Sequence, residues 1–331
     1  EEIAQLEDPV GKVDNMKIRP SGIRVGQMRV PVGVIAVIYE SRPNVTTDIA
    51  ALCIKSGNAA ILRGGKESIH SNIALYEIVV KALKESGYPE SIITLITKTD
   101  RELVPLLLKM NDYIDIVIPR GGEGLIKMVT KESTIPVIKH DKGLCHIYVD
   151  ENAKKEMANA ICVNAKVQRP GVCNAVETIL IHENYSHKES LLQALIDKNV
   201  ELRGCDKTIT LLPEAVNSAA EEDWDTEYLD LIVSIKVVSS FEEMADHIAQ
   251  YGSGHSEAII TESYDQAERF LKEIDSAAVF VNASTRFHDG GEFGLGAEVG
   301  ISTQKLHARG AMGLEGLTTQ KFIIYGKGEI R

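Results

Sequence analysis

One thiol in this 331-residue chain sits in a setting suited to covalent chemistry. The five cysteines are Cys53, Cys145, Cys162, Cys173 and Cys205. Cys173 lies in Gln168-Arg169-Pro170-Gly171-Val172-Cys173-Asn174, a Pro-Gly turn between a predicted helix and a predicted strand. A thiolate exposed on such a turn would attack an acyl carbon and pass through a thioester, given a lowered pKa. The other four have blander surroundings. Cys53 and Cys162 lie among helical apolar neighbours, Cys145 leads into a strand, and Cys205 sits in a polar stretch. Most buried cysteines are inert small hydrophobes, and on context alone that reading also stays open for Cys173.

Two glycine-rich turns supply the next candidates. Ile118-Pro119-Arg120-Gly121-Gly122-Glu123-Gly124 joins a buried strand to a helix, and helix N-termini receive anions. It is not the six-residue dinucleotide fingerprint, and an ordinary turn has the same composition. Ile61-Leu62-Arg63-Gly64-Gly65-Lys66-Glu67 places two cations at the C-terminal end of a strand, the edge at which open α/β sheets bind ligands. Arg63 or Lys66 would suit the 2′-phosphate of NADP; a solvated loop is the alternative. His247 and His255 are too far apart to share a helix face, and no H-E-x-x-H occurs, so no metal site is expected.

The elements that must position these residues alternate along the chain. Val32–Ile38 reads as a buried strand and Val45–Lys55 as a helix ending at Gly57, followed by a strand at Ala59–Leu62. Glu67–Ser86 is amphipathic, with Ile69, Ile73, Tyr76, Val80 and Leu83 on one face, and Gly87 closes it. A strand at Ile92–Ile96, a helix at Arg101–Met110, a strand at Ile114–Ile118 and a helix at Leu125–Thr130 complete the first set. The second set has helices at Ala153–Ala165, Lys188–Asp197, Glu242–Tyr251 and Tyr264–Ile274. Its strands are Val176–Ile181, Leu229–Val238, Ala258–Ile260 and Ala277–Val281. Short connections between alternating strands and helices give parallel sheets covered on both faces. The extended stretch Gly22–Val30 lies outside both sets and is expected to pair with a last strand at Thr318–Tyr325, as an arm docking on another subunit.

Bulk properties narrow the class. Length favours two domains, and 44% hydrophobic with 25% charged residues describes a packed globular protein. The formal net charge of −12, with one Trp and six Phe, argues against nucleic-acid binding. No apolar run reaches the roughly 18–20 residues of a membrane span, and Glu1-Glu2-Ile3-Ala4 lacks the features of a signal peptide. Scattered cysteines without a C-x-x-C pair suggest reduced thiols in the cytoplasm. The chain starts without Met on what reads as the tail of a helix, so a further N-terminal part is expected.

Taken together, these stretches resemble one family. They are Val30–Ile35 leading to Glu40-Ser41-Arg42-Pro43, Lys55–Ala59 leading to Arg63–Glu67, and Ile118–Gly121. Further along they are Cys173–Thr178, His247-Ile248 with Tyr251–Ser253 and His255–Glu257, Val281–Phe287, and Phe293–Val299. The chain resembles, along essentially its whole length, the gamma-glutamyl phosphate reductases of the aldehyde dehydrogenase superfamily. The resemblance implies an aldehyde dehydrogenase-like α/β fold, with two doubly wound α/β domains and a small β oligomerisation arm. It implies a cofactor domain over residues 1–165, with 20–30 in the arm, a catalytic domain over 166–290, and a return over 291–331.

The activity implied is reduction of L-glutamate 5-phosphate to glutamate 5-semialdehyde and phosphate by NADPH, in proline biosynthesis. Cys173 takes the nucleophile position, with its backbone N–H and Asn174 as oxyanion donors. Arg63, Lys66, Gly121, Gly122 and Gly124 take cofactor positions. Asp230 takes the nicotinamide ribose, with Glu227 as competitor. Arg286 and His255 are expected to meet substrate, structural salt bridges being the alternative. The stretch Val137–Gly143 lacks the Glu that hydrolytic relatives use for deacylation, which suits a thioester that must be reduced and not hydrolysed. A homo-oligomer is expected, and fusion to or association with a glutamate 5-kinase is a further expectation. The rival readings are a hydrolytic aldehyde dehydrogenase of the same fold and a non-catalytic scaffold.

Overall fold

A computed structural model describes residues 2–331. The chain forms two units, one of residues up to Lys139 together with Phe293–Arg331, the other His140–Glu292.

Unit one holds a four-stranded parallel sheet in the order Ile93–Leu95, Ala59–Gly64, Val34–Tyr39, Ile116–Arg120. Its strands alternate between two cores, as a period of two requires when both faces are covered. Ile35, Val37 and Tyr39 face helices Asn44–Lys55 and Ile69–Glu85. Ala36, Ile38 and Val117 face Leu103–Leu107 and Glu123–Glu132. A separate antiparallel sheet runs Val13–Ile18, Arg24–Pro31, Thr318–Tyr325. Its last two strands pair from Thr318↔Pro31 to Tyr325↔Arg24.

The second unit holds seven parallel strands in the order Val216–Ser218, Glu201–Gly204, Ile232–Val238, Val176–His182, Cys145–Val149, Ser256–Ile260, Ala278–Val281. Ile147, Ile179, Ile181 and Ile260 pack with Cys162, Leu191 and Leu192 on one face. Tyr148, Leu180 and Ile259 pack with Phe241, Met244 and Phe270 on the other. Among the described residues no helix is long and apolar enough to cross a membrane.

Several expectations shift for local reasons. The helix expected over Arg101–Met110 shrinks to Leu103–Leu107, because Pro105 fits a helix only in its first turn. The strand expected from Val32 starts at Val34: Gly33 takes φ +132°, and a Cβ there would fall 2.1 Å from the Asp115 carboxylate. The strand expected from Leu229 starts at Ile232, since Leu229 takes a left-handed φ of 56°. The unit boundary lies at 139/140, against the expected 165/166. Cys145–Val149 pairs with both Val176–His182 and Ser256–Ile260, which draws residues 140–165 into the second unit. Strands 13–18, 201–204 and 216–218 were not anticipated.

Candidate active site

Cys173 stands on the loop 168–175, between helix Lys155–Val167 and strand Val176–His182. The helix ends where it does because Pro170 disfavours the helical region for Arg169. The loop then tightens, with Ala175 N–H donating to the Val172 carbonyl at 3.0 Å. Cys173 is partly exposed, whereas Cys53, Cys145 and Cys162 are buried. Burial pushes the Cys53 thiol up to about 12 and raises those of Cys145 and Cys162, so these three stay protonated and unreactive. Cys205 is partly exposed, but its sulfur lies 3.3 Å from Thr208 Oγ1 and accepts Val237 N–H at 3.5 Å.

The floor of the site is backbone. A Cβ on Gly143 would fall 2.3 Å from Cys173 Cα, so no side chain fits there. Cys145 Sγ donates to the Cys173 carbonyl at 3.2 Å. Asn174 does not face outward as an oxyanion donor. Its Nδ2 donates to the carbonyls of His288 at 3.0 Å and Arg286 at 3.4 Å, and its Oδ1 accepts from the Arg286 guanidinium. Thr285 Oγ1 donates to the Asn174 carbonyl at 2.7 Å. Asn174 therefore ties the nucleophile loop to segment 284–288.

Arg286 spans the same loop from above. Its Nε donates to Gln168 Oε1 at 2.8 Å while its terminal nitrogen holds Asn174, so one guanidinium grips both sides of Cys173. Partial burial lowers its pKa, and nearby Arg169 adds to the effect, with Asp289 and Cys173 opposing. Two neighbouring cations beside the thiol make this the electropositive side of the site.

His255 has the opposite character. It is fully buried, its Nδ1 lies 2.7 Å from Ser256 Oγ, and that oxygen lies 2.8 Å from His288 Nδ1. Burial, with His288 and His140 nearby, holds His255 well below the usual imidazole value, and burial depresses His288 to about 4. Both rings are neutral near pH 7. His255, expected to meet substrate, is instead fully buried against Ser256 and His288.

The expected cofactor residues of unit one gather at the C-terminal edge of its sheet. Arg63 is buried, and its terminal nitrogens donate to the carbonyls of Gly64 at 2.9 Å and Thr99 at 2.8 Å, while its Nε has no partner. Lys66 is exposed. Gly122 caps helix Glu123–Glu132, and its N–H donates to Glu40 Oε2 at 3.0 Å. The turn thus already receives an anion, the chain's own carboxylate, and a Cβ on Gly121 would displace it, falling 2.4 Å from Glu40 Oε2. Beside Gly124 there is open space. Lys66 is exposed and the space beside Gly124 is open, so a nucleotide phosphate fits there once the Glu40 carboxylate turns away from the Gly122 N–H. In the second unit Asp230 is exposed and its Oδ1 accepts Leu231 N–H at 2.7 Å.

Sequence reasoning passed over Gly143, the His255–Ser256–His288 chain, and a buried pair formed by Lys166 and Glu177. The last had a visible signal. Lys166 follows Ala158, Cys162 and Ala165 on the apolar face of its helix, and Glu177 is a carboxylate in a strand that is buried along its whole length.

The fold and the loop-borne thiol define a class, and comparison with known proteins agrees. The family described as Aldehyde dehydrogenase family matches residues 4–210. Gamma-glutamyl phosphate reductase of Thermoanaerobacter pseudethanolicus is 60% identical over 333 residues, covering 100% of this chain and 80% of that protein. The crystal structure of gamma-glutamyl phosphate reductase from Thermotoga maritima superposes with a TM-score of 0.96 at 49% identity, covering 100% of this chain and 80% of that one. An acetylating aldehyde dehydrogenase from Geobacillus thermoglucosidasius shares the fold, with a TM-score of 0.75 at 18% identity, covering 100% of this chain and 82% of that one. The chain belongs to the aldehyde dehydrogenase family and, within it, to the gamma-glutamyl phosphate reductases.

Proposed function

We propose that this protein reduces L-glutamate 5-phosphate to L-glutamate 5-semialdehyde and phosphate with NADPH, through a thioester on Cys173, as a step of proline biosynthesis. The observation that carries the reading is the 60% identity, over the whole chain, to a protein named gamma-glutamyl phosphate reductase. The partly exposed thiol on loop 168–175 supports it.

The Cys173 thiolate attacks the acyl carbon, the C–O bond to phosphate breaks, and a thioester remains. The Cys173 backbone N–H is the group assigned to the developing oxyanion; Asn174 contributes by holding the loop. Such preorganised donors are typically worth about 2.7–4 kcal/mol each. Arg286, with Arg169 nearby, neutralises an anionic group of the substrate. A reduced nicotinamide cofactor, when bound, supplies the hydride that the thioester takes up. The C–S bond then breaks, freeing the aldehyde and regenerating the thiolate. Lys66 and the Gly122–Gly124 turn suit the cofactor's phosphates, Arg63 braces the strand end beneath them, and Asp230 suits the nicotinamide ribose. The loop 137–143 carries no Glu to activate water, which protects the thioester from hydrolysis.

A kinase that phosphorylates the side-chain carboxylate of glutamate would supply the substrate. Five cysteines without disulfides suit the cytoplasm. The antiparallel arm, with Phe322 66% and Ile18 75% exposed, suits pairing with a second copy.

The reverse reaction tests the reading. Protein is mixed with glutamate 5-semialdehyde, phosphate and NADP+, and NADPH formation is followed. Turnover that requires phosphate and vanishes in Cys173→Ala is expected. Turnover independent of phosphate would replace this reading with a hydrolytic one.

A further inference from the structure

Lys166 and Glu177 form an ion pair in the interior of the second unit. Both side chains are 0% exposed, and Lys166 Nζ donates to Glu177 Oε2 at 2.7 Å. Burial opposes both charges, lowering the Lys166 pKa and raising that of Glu177 to about 7, while each partner works against the shift of the other. A buried pair of this kind adds little net stability, because desolvation offsets attraction and apolar residues would fill the space as well.

Its location supplies another reason for it. Lys166 is the second-last residue of helix Lys155–Val167, and Glu177 is the second residue of strand Val176–His182. The bond therefore closes across the base of loop 168–175, which presents Cys173. The other carboxylate oxygen, Glu177 Oε1, accepts Leu229 N–H at 3.4 Å. Leu229 holds a φ of 56°, in the left-handed region that costs energy for a residue with a Cβ. The residue is 48% exposed, so leucine burial does not account for that conformation. What is held is the backbone. The Leu229 carbonyl lies 3.6 Å from where a Cβ on Gly171 would stand, two residues before Cys173. Next to Leu229, the Tyr228 ring centroid is 6.0 Å from Lys166 Nζ, and the Tyr228 hydroxyl meets Asp223 Oδ1 and Ser234 Oγ, each at 2.8 Å.

We infer that the Lys166–Glu177 ion pair is a positioning device for the reaction, clamping both flanks of the nucleophile loop and, through Leu229, setting that loop against the segment that bears Asp230. This rests on Cys173 being the nucleophile. Lys166 and Glu177 touch neither substrate nor cofactor; they act through the placement of Cys173 and residues 226–231.

The test compares the full chain with Lys166→Met/Glu177→Leu, with Glu177→Gln and with Cys173→Ala, by calorimetric melting and by kcat and KM in the reverse assay. The double variant removes both charges at similar volume, so its melting temperature is expected to stay close to that of the parent. Its kcat is expected to fall on the order of a hundredfold, the effect of a misplacement of about 1 Å, while KM for NADP+ stays within about threefold. Glu177→Gln keeps the shape without the charge and is expected to lose about tenfold in kcat with the same constancy of KM. A folded double variant with kcat within about threefold of the parent overturns the inference. So does a double variant that fails to fold alongside a fully active Glu177→Gln, since the pair would then serve stability alone. The Cys173→Ala arm separates the two claims: turnover retained there sinks the nucleophile reading, whereas loss there with a fully active double variant sinks only the positioning role.

Discussion

Gly143 presses on Cys173 so closely that a Cβ at position 143 would lie 2.3 Å from the Cys173 Cα and 2.4 Å from its Cβ. The contact is with backbone, which cannot swing aside as a flexible side chain can. Gly143→Ala is therefore expected to push loop 168–175 outward. Overpacking of this kind costs about 1–3 kcal/mol of stability, and a displaced nucleophile loses on the order of a hundredfold in kcat. Melting curves and steady-state rates on one preparation would check both; an unchanged kcat would show that the loop tolerates the shift.

Arg286 grips Gln168 and Asn174 on either side of the thiol. If it also meets an anionic group of the substrate, Arg286→Ala removes charge-assisted hydrogen bonds worth about 1.5–3 kcal/mol. That corresponds to a rise on the order of ten- to a hundredfold in KM for phosphate or for the aldehyde. KM for NADP+ should not move. Measuring the three constants separately identifies which anion Arg286 receives.

Selective alkylation gives a direct comparison of the thiols. Burial keeps Cys53, Cys145 and Cys162 out of reach and protonated. A brief iodoacetamide pulse followed by peptide mapping should label Cys173 first, and bound substrate should prevent it. Labelling that is faster at any of the three buried cysteines would contradict this picture of the site.

The buried His288 makes stability depend on pH in a defined direction. Its folded value is about 4, depressed from 6.5 chiefly by burial. The unfolded chain therefore binds a proton that the folded one does not. The stabilisation is fully present above about 6.5 and is lost as pH falls from there through about 4. Within that window the loss approaches about 1.4 kcal/mol per pH unit. Glu177, raised to about 7, acts in the opposite sense. The readout is thus the difference between the parent and His288→Asn, in denaturant melts from pH 7 to pH 4. The variant should show a shallower decline.

The exposed edge of the arm should govern assembly. Phe322 and Ile324 are 66% and 57% exposed on the strand that pairs with Arg24–Pro31. Phe322→Lys/Ile324→Lys is expected to lower the mass seen by light scattering without lowering the melting of either parallel sheet's core. An unchanged mass would place the subunit contact elsewhere.

Much of the fold is written locally. The alternation of apolar strands with amphipathic helices suffices for two parallel sheets covered on both faces, because periods of two and of about 3.6 are properties of short segments. Pro170 and Gly171 likewise mark the turn that carries Cys173, and the missing Glu in 137–143 is visible to the eye. Tertiary structure alone decided the rest. Strand 145–149 joins the second sheet because of partners at 176–182 and 256–260. Asn174 turns inward because Arg286 and His288, more than a hundred residues away, need its amide. His255 is held below the usual imidazole value because burial strips it of water and His288 and His140 lie nearby. Glu40 fills the Gly122 turn from the end of the neighbouring strand. Each of these is a hydrogen bond or a burial between segments remote in sequence, and no local pattern encodes which remote group will arrive. The sequence by itself picked out Cys173 and the loop it stands on. The folded chain decided what holds that loop still.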